Sequence, residues 1–504
     1  MAQLNMRGKL KKDPAPSLIK YINQPGIDED KEFSYQTYLD LNKAHVVMCA
    51  KQGIIDKDSA KIILKVTKEM AAMGKEPTFP IDPALESMYF NLEKYLIEHA
   101  GIEAGGKVHT ARSRNDLCST KFRIDFRKVY FEICEKLNEL RKEVLAKAND
   151  TKDVVLAGYT HLQPSEPITF GHYLACMLSA LERDYRRLSR VYAALNLCPL
   201  GGGSMGSTTF PIDRELTSKL LGFDAPVDNS LDCVGSRDWA LEMLSAVSIL
   251  ANNLSRFAHD FYVWATPQFG YIDLDDSVSI CSSIMPQKKN PQTLEQIKGR
   301  AGNVEGTFVA AYGAMKNTPY TNCSDGTSVA VSFLRLGLHE TAAILDLMID
   351  TIKAMTPNKD RLLHEALTDF CTMTELANTL VRVEKVSFRE AHEVVAMIVD
   401  HMLKTGKKAN EITAKEVDNC FVSTLEKHIT VLTDDDVTGA LDPTKNVKNK
   451  KCIGGTSEEE IARQLANRSS HLCEDQKELK AREESVCEAN KALNQAVDDL
   501  INSD

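Results

Sequence analysis

The chain has 504 residues, of which 43% are hydrophobic and 26% charged, a balance typical of a soluble globular protein. Its formal net charge of −10, without a basic block, argues against a nucleic-acid-binding surface. The charged N-terminus lacks the apolar segment of a signal peptide, and we find no run of about 18 apolar residues, so we expect a cytoplasmic protein without a membrane span.

Four stretches carry apolar residues at spacings of three and four, which predicts long amphipathic helices. They cover 122–144, 174–195, 239–264 and a run that begins at 294. The third spans about 26 residues, or roughly 39 Å of helix. Because such long stripes need partner helices on more than one side, we expect a central bundle and an oligomer. Strand signals are few and short, so the predicted class is all-α.

The distribution of glycine, proline and charge divides the chain into three helical regions. The first ends in the turn segment Gly101–Gly106, and shorter helices follow residue 362. The polar segment 433–456 predicts a loop, and the tail 457–504 predicts an exposed docked or partly frayed helix. The predicted domains are an N-terminal helical domain (1–111), a central helical bundle domain (112–362) and a C-terminal helical domain with an extra tail (363–504).

The 13 cysteines do not form a recognisable metal or redox motif. The closest pair in sequence, Cys473 and Cys487, is too far apart for a metal knuckle or a CxxC pair. Reduced, mostly buried thiols are therefore expected, with no metal site and no cofactor. Cys281 lies beside the most unusual loop of the chain. We expect its thiol to pack against that loop rather than to act as a nucleophile.

That loop reads SSIMPQKKNP and runs from Ser282 to Pro291. Pro286 and Pro291 bias the residues before them away from the helical region, which predicts a loop held open. The loop sets the hydroxyl of Ser282, the cation of Lys288 and the amide of Asn290 within nine residues. An enzyme that removes a proton from carbon beside a carboxylate needs a base and groups that hold the resulting dianion, and this loop offers both.

Two motifs upstream share the loop's unusual character. They are HTARSRND at His109–Asp116 and GYTHLQP at Gly158–Pro164. In this order the three motifs resemble the signature regions of the fumarase/aspartase superfamily, in particular its argininosuccinate lyase branch, over about residues 35–465. The resemblance implies a three-domain, all-α fold whose central long-helix bundle is shared in a homotetramer. It also implies active sites that combine the three motifs from different subunits and bind a small dicarboxylate substrate and fumarate.

The resemblance assigns the base to Ser282, with Lys288 and Asn290 holding an aci-carboxylate intermediate. Adjacent Ser283 remains an alternative base. His161 is expected to lie against Glu295, which would orient and charge it, and proton donation by His161 stays open. Further substrate-binding candidates are Arg112, Ser113, Arg114, Asn115, Thr160, Gln163, Ser283 and Met285. For Arg112 and Arg114 a structural salt bridge is the alternative role.

The run Gly201–Gly206 spells GxGxxG, with Asp224 roughly at the distance expected for a ribose contact. The residues before it are helical in pattern and no βαβ unit follows, which disfavours a dinucleotide site. The resemblance implies a mobile loop near the active site instead. Arg237 is either structural or lines that site.

The chain departs from argininosuccinate lyase where the family holds the amino-acid half of its substrate. The family's Tyr, Gln and Lys are replaced by Asn322, Thr327 and Ala330, and the segment around Asn23–Pro25 is rewritten. The groups that hold the succinyl half are retained. Lys316 or Lys353 could replace the missing lysine, an alternative that the sequence leaves open.

This selective loss predicts a carbon–nitrogen lyase that eliminates fumarate from another N-substituted aspartate. An N-succinyl amine or an aminopolycarboxylic acid such as ethylenediamine-disuccinate fits, with anti β-elimination through the aci-carboxylate. Argininosuccinate lyase proper is the first alternative. A crystallin-like structural protein without activity is the second.

Overall fold

The computed structural model describes residues 7–74 and 77–503. The first six residues, which bear on the expected absence of a signal peptide, lie outside this part. The protein is 71% helical with little strand, which confirms the all-α class. The short antiparallel strand pairs are β1 (Val155–Thr160) with β2 (Gln163–Thr169), β5 (Ile272–Leu274) with β8 (Met355–Pro357), and β6 (Ile280–Cys281) with β7 (Lys289–Asn290); β3 (Leu197–Cys198) and β4 (Ala225–Pro226) pair in parallel.

The N-terminal region packs around the buried helix α3. The expected turn at Gly101–Gly106 is wrong, because residues 102–109 form a short helix followed by a 3₁₀ turn. Gly101, at φ +77°, makes the break before them. The helices are α1 (Pro16–Leu18), α2 (Gln24–Phe33), α3 (Tyr35–Lys51), α4 (Lys57–Ala72), α5 (Met88–Ala100) and α6 (Ile102–Gly105).

Five long helices form the central bundle, four of them predicted by the apolar stripes and the fifth, α13, not predicted. Their buried faces share one core, in which the ring centroids of Trp239 and Phe126 lie 6.0 Å apart. The helices are α7 (Arg114–Asp150), α8 (Phe170–Leu195), α11 (Asp238–Trp264), α12 (Gln292–Met315) and α13 (Ala330–Ala354), with the short α9 (Arg214–Leu220) and α10 (Ser230–Gly235) between them.

One segment, Asp325–Ala354, is long and apolar enough to cross a membrane by length and composition. Half of its apolar window is buried inside the protein. Helix α13, which makes up most of the segment, contributes Leu334, Leu338 and Leu345 to the central core. Core helices of soluble proteins meet the same criteria.

The C-terminal region has its own apolar core within residues 376–441. The loop expected at 433–456 is wrong for most of its length, because two helices occupy 434–449. Thr433 and Asp436 form a capping box at the first, and Asp442 caps the second ahead of Pro443. The helices are α14 (Lys359–Thr368), α15 (Met373–Val383), α16 (Phe388–Thr405), α17 (Ala414–Leu425), α18 (Asp434–Leu441) and α19 (Pro443–Asn449).

The tail forms one helix, α20 (Glu458–Asn502), which is docked rather than frayed. It packs along α7 and α8 and continues onto α3 and α4. Leu465 and Leu479 enter the central core, and Asp475 pairs with the buried Arg141 at 2.7 Å. The tail therefore joins the first and central regions, while the predicted domain boundaries stay a prediction.

Close contact between the bundle helices depends on Gly337 in α13. A Cβ atom at this position would lie 2.5 Å from Oγ1 of Thr307 and 2.6 Å from Cδ2 of Leu244. We expect Gly337→Ala to lower the free energy of unfolding by about 1–3 kcal/mol, because α11, α12 and α13 must separate. Thermal unfolding measures the change.

Gly439 in α18 is the matched control. A Cβ there would meet nothing within 4 Å, so Gly439→Ala should be neutral or stabilise the protein by up to about 1 kcal/mol through helix propensity. Equal melting temperatures for the two variants would contradict this description of the bundle.

Candidate functional site

The first motif begins helix α7. Ser113 is its N-cap, and the Ser113 side chain accepts the N–H of Asn115 at 3.2 Å. The Asp116 side chain accepts the N–H of Ser113 at 2.9 Å, which completes a capping box. The cap places Arg114 and Asn115 in the first turn, where the free backbone N–H groups and the helix dipole favour anions.

Asp116 fixes this turn to the Gly-rich loop 201–206. Its fully buried carboxylate accepts the N–H groups of Gly201 and Gly203 at 2.9 Å each. The Asn115 side-chain amide donates to the carbonyl of Ser204 at 3.1 Å. Burial raises the pKa of Asp116, against the lowering effect of the N–H groups that it accepts. The loop and the first turn of α7 therefore form one unit.

The same loop does not have the form of a dinucleotide-binding turn. The strand before it, β3, has two residues, and Gly206 lies eight residues before α9 begins at Arg214. In a dinucleotide-binding fold the glycines open the helix directly.

Arg112 points into the protein. Its guanidinium donates to Oδ1 of Asn42 at 2.5 Å and to the hydroxyl of Tyr89 at 3.2 Å, and the residue is 8% exposed. Burial, followed by the nearby charge of Arg112, lowers the pKa of His45 to about 3 and that of His109 to about 4. Both histidines are therefore neutral at pH 7, and Arg112 organises the interior beneath the motif.

Arg114 lies at the surface of the same turn. Its guanidinium lies 3.7 Å from Glu86 and 4.3 Å from the centre of the Phe90 ring. The alternative role of Arg114, a structural salt bridge, is therefore met only by a long contact with Glu86, and the Arg114 side chain is 44% exposed. Arg237, whose role was left open, is buried and donates to Ser119 and to the carbonyl of Ser236, a structural arrangement.

The second motif forms the β1–β2 hairpin with a strained tip. Thr160 pairs with Gln163 across the turn, and His161 and Leu162 between them both have φ +56°. Tight hairpins of this handedness prefer Asn or Gly at such positions. Side chains held there cost about 1–3 kcal/mol each. Thr160, His161 and Gln163 are all exposed. The first four residues of β1 are buried, so the strand is held in the protein while its end and the turn face outward.

The third motif spans the β6–β7 hairpin. The Ser282 hydroxyl accepts the N–H of Met285 at 3.1 Å, while Ser283, Met285 and Lys288 are exposed at the tip. At the strand end of this hairpin, the side chain of Lys289 forms an ion pair with Asp276 at 3.1 Å. Cys281, expected to pack beside the loop, is exposed instead because the hairpin lies at the surface.

The expected partner of His161 lies elsewhere within one chain. Glu295 is exposed in the first turn of α12, and it accepts the hydroxyl of Tyr262 at 3.3 Å. Over the described ranges, no hydrogen bond or ion pair joins His161 to Glu295 or to Ser282. Within one chain the second and third motifs are therefore separate groups at the surface.

A cavity of about 310 Å³ opens beside the first turn of α7. Asn322 and Thr327, two of the departures from the family pattern, line it. Ala330, the third departure, is 2% exposed and does not line it, and its assignment to the family's lysine position stays a prediction. The π-helix Asp325–Val329 adds a residue to the turn. The cavity is also lined by Gly26, Glu29, Asp30, Glu86, Arg114, Asn115, Lys121, Ser324, Ser328 and Val331.

The two lysines proposed as replacements do not line this cavity either. Lys353 pairs with Glu139 at 3.0 Å on the outside of the bundle. The sequence analysis did not predict that Glu29 and Asp30 line the cavity, although both closely follow the segment around Asn23–Pro25 that departs from the family. Among the residues that the structure describes, no group of three or more His, Cys, Asp or Glu side chains is placed to hold a metal ion.

Comparison with known proteins gives consistent similarities over nearly the whole chain. Residues 12–306 match the Lyase family, and residues 370–448 match the argininosuccinate lyase C-terminal family. Over 474 residues the chain is 42% identical to argininosuccinate lyase 1 of Shouchella clausii, which covers 94% of this chain and 95% of the relative.

Two solved structures resemble the fold closely. EDDS lyase in complex with formate has a TM-score of 0.86 and 29% sequence identity, and the match covers 97% of this chain and 96% of the other. An EDDS lyase variant with bound fumarate has the same TM-score and identity, with 97% of each chain covered.

We expect Asp116→Asn to loosen the Gly-rich loop. The amide has one acceptor oxygen, so one pair of backbone N–H groups loses its partner, at a cost of about 1–3 kcal/mol in unfolding free energy. Limited proteolysis should then cut faster within 201–206. Asp213→Asn is the control, because Asn replaces an N-cap Asp well. Unchanged stability and cleavage in Asp116→Asn would contradict the role of this carboxylate.

Proposed function

Because this chain belongs to the argininosuccinate lyase branch of the fumarase/aspartase superfamily, we propose that it releases fumarate from an N-substituted aspartate. Membership confirms the resemblance carried by the three motifs and the class of fumarate-forming carbon–nitrogen lyase. One observation carries the proposed substrate class: Arg114 and Asn115 line a polar cavity. Both residues lie in the first turn of α7, where a dicarboxylate would bind favourably.

In the proposed reaction Ser282 removes the proton from the carbon beside a carboxylate. The electron pair moves into that carboxylate, and Lys288 and Asn290 hold the resulting dianion. The pair then forms the carbon–carbon double bond as the carbon–nitrogen bond breaks, and the leaving amine takes up a proton, for which His161 is the proposed donor. The backbone N–H of Met285, which already donates to the Ser282 hydroxyl, favours the alkoxide that this step needs.

The proposed active site is completed by a homotetramer. Each site would combine residues 109–116, 158–163 and 282–295 from different subunits, so that His161 meets Glu295 across an interface. Exposure of Arg114 in the first motif, and of His161 and Lys288 in the other two, supports this arrangement. Helix α12 supports it too, because Gly299, Gly302 and Gly306 face open space near the exposed Val309 and Tyr312.

Two candidate substrates differ in the amine half. The names of the curated relatives favour argininosuccinate over the other N-substituted aspartates that the sequence departures suggested. EDDS lyase as a structural neighbour, and a cavity in which Asn322 and Thr327 replace family side chains, favour a different amine. In both cases the products are fumarate and an amine.

Ser282→Ala tests the proposed chemistry. Wild-type enzyme with fumarate and a panel of amines should give N-substituted aspartates, detected by mass spectrometry. We expect Ser282→Ala to lower kcat by about 10²–10⁴-fold with an unchanged melting temperature, because the base is lost. Ser283→Ala is the matched control and should retain most activity. The opposite result would move the base to Ser283. No adduct from any amine and no fumarate from argininosuccinate would overturn the proposed function.

Light scattering tests the proposed assembly. We expect a homotetramer at micromolar concentration, because the open face of α12 must be buried. A mixture of His161→Asn and Ser282→Ala subunits should regain part of the activity, since some shared sites then contain neither change. A monomer with full activity would contradict shared sites.

A further inference from the structure

We infer that Tyr262 is a positioning residue, which holds Glu295 in place for His161 of a neighbouring subunit. The inference rests on the proposed function, in which His161 meets Glu295 across an interface and gives a proton to the leaving amine. Tyr262 lies in the last turn of α11, and Glu295 lies in the first turn of α12. Tyr262 belongs to none of the three sequence motifs.

The Glu295 side chain has one polar partner within its own chain. The hydroxyl of Tyr262 donates to Oε1 of Glu295 at 3.3 Å, and over residues 7–74 and 77–503 no other hydrogen bond or ion pair engages this carboxylate. A carboxylate only accepts, so the direction of the bond is fixed. The charge of Glu295 raises the pKa of the Tyr262 hydroxyl, which therefore keeps its proton at neutral pH. The second oxygen of Glu295 can accept the N–H of an imidazole.

The ring of Tyr262 is held more firmly than the glutamate. It packs against the core of the central bundle, and the ammonium of Lys298 lies 4.3 Å from the ring centre, where the aromatic face attracts a cation. Glu295 is exposed and has a long, flexible side chain. The bond from Tyr262 restricts this side chain before His161 arrives, so less conformational entropy is lost when the two residues meet.

The contact between Lys298 and the ring has a second consequence for Glu295. Lys298 follows Glu295 by three residues, a spacing at which opposite charges on a helix attract each other. In the part of the chain that the structure describes, no ion pair joins these two side chains, and the ammonium lies over the Tyr262 ring instead. The ring thus keeps a competing cation away from the carboxylate that His161 needs.

Two substitutions separate the hydroxyl from the ring. Tyr262→Phe keeps the ring beside Lys298 and removes the donor, so we expect kcat to fall about three- to tenfold, the effect of one hydrogen bond. KM should stay unchanged, because Glu295 acts on the proton donor and not on the bound substrate. Tyr262→Leu removes both contacts, and kcat should fall about twofold further as Lys298 pairs with Glu295. The change in fumarate absorbance with the preferred substrate gives the rates.

A rescue experiment distinguishes positioning from folding. Adding Lys298→Gln to Tyr262→Leu should return kcat to about the level of Tyr262→Phe, since the competing cation is gone. Tyr185→Phe is the matched control. It removes a tyrosine hydroxyl that donates to the carbonyl of Asp475 at 2.9 Å, between α8 and the tail helix, and should leave kcat unchanged even where the melting temperature falls.

The outcomes separate the inference from the proposed function. Full kcat in Tyr262→Phe, a loss confined to KM, or no recovery when Lys298→Gln is added to Tyr262→Leu would overturn the inference and keep the lyase. No fumarate from argininosuccinate and no adduct from any amine with the wild-type enzyme would overturn both.

Discussion

A carboxylate that is buried away from water must find donors within the protein, and Asp116 finds four backbone N–H groups. Two belong to the cap and first turn of α7, at Ser113 and Leu117, and two to Gly201 and Gly203. Each buried group left without a partner would cost about 1–3 kcal/mol, so separating the helix terminus from the loop is strongly unfavourable. The position of Arg114 and Asn115, and with it the cavity beside the first turn of α7, depends on this one side chain.

The other two motifs follow the opposite principle, because their polar groups face outward on rigid supports. His161 is at the tip of a hairpin whose first strand is buried, and Ser282 lies beyond a short strand pair fixed by Lys289. A hydroxyl and an imidazole that face water lack the low-dielectric surroundings in which neighbouring charges act strongly. Their proposed chemistry therefore requires burial by further protein surface, which a neighbouring subunit would supply together with Glu295.

Apolar periodicity predicted the long helices well, and 239–264 differs from α11 by one residue. It failed at 433–456, where polar composition concealed the caps at Thr433 and Asp442 that start two helices. The motifs identified the segments of the candidate site but not their orientation. Arg112 turns inward to Asn42 and Tyr89, and Ala330 is buried outside the cavity. The partners of Arg112 are distant in sequence, so spacing alone could not predict its orientation.

The cavity beside the first turn of α7 is lined within one chain, whereas the proposed chemistry needs groups from several chains. Glu29, Asn322 and Ser328 all belong to the chain that presents Arg114, and none of them lies in the three motifs. Substitutions at these three positions would therefore leave the proposed base in place. A single charge at its wall changes binding by roughly a factor of ten or more, which is enough to reorder preference among amines. Overall identity to argininosuccinate lyases thus constrains the reaction more tightly than it constrains the leaving group.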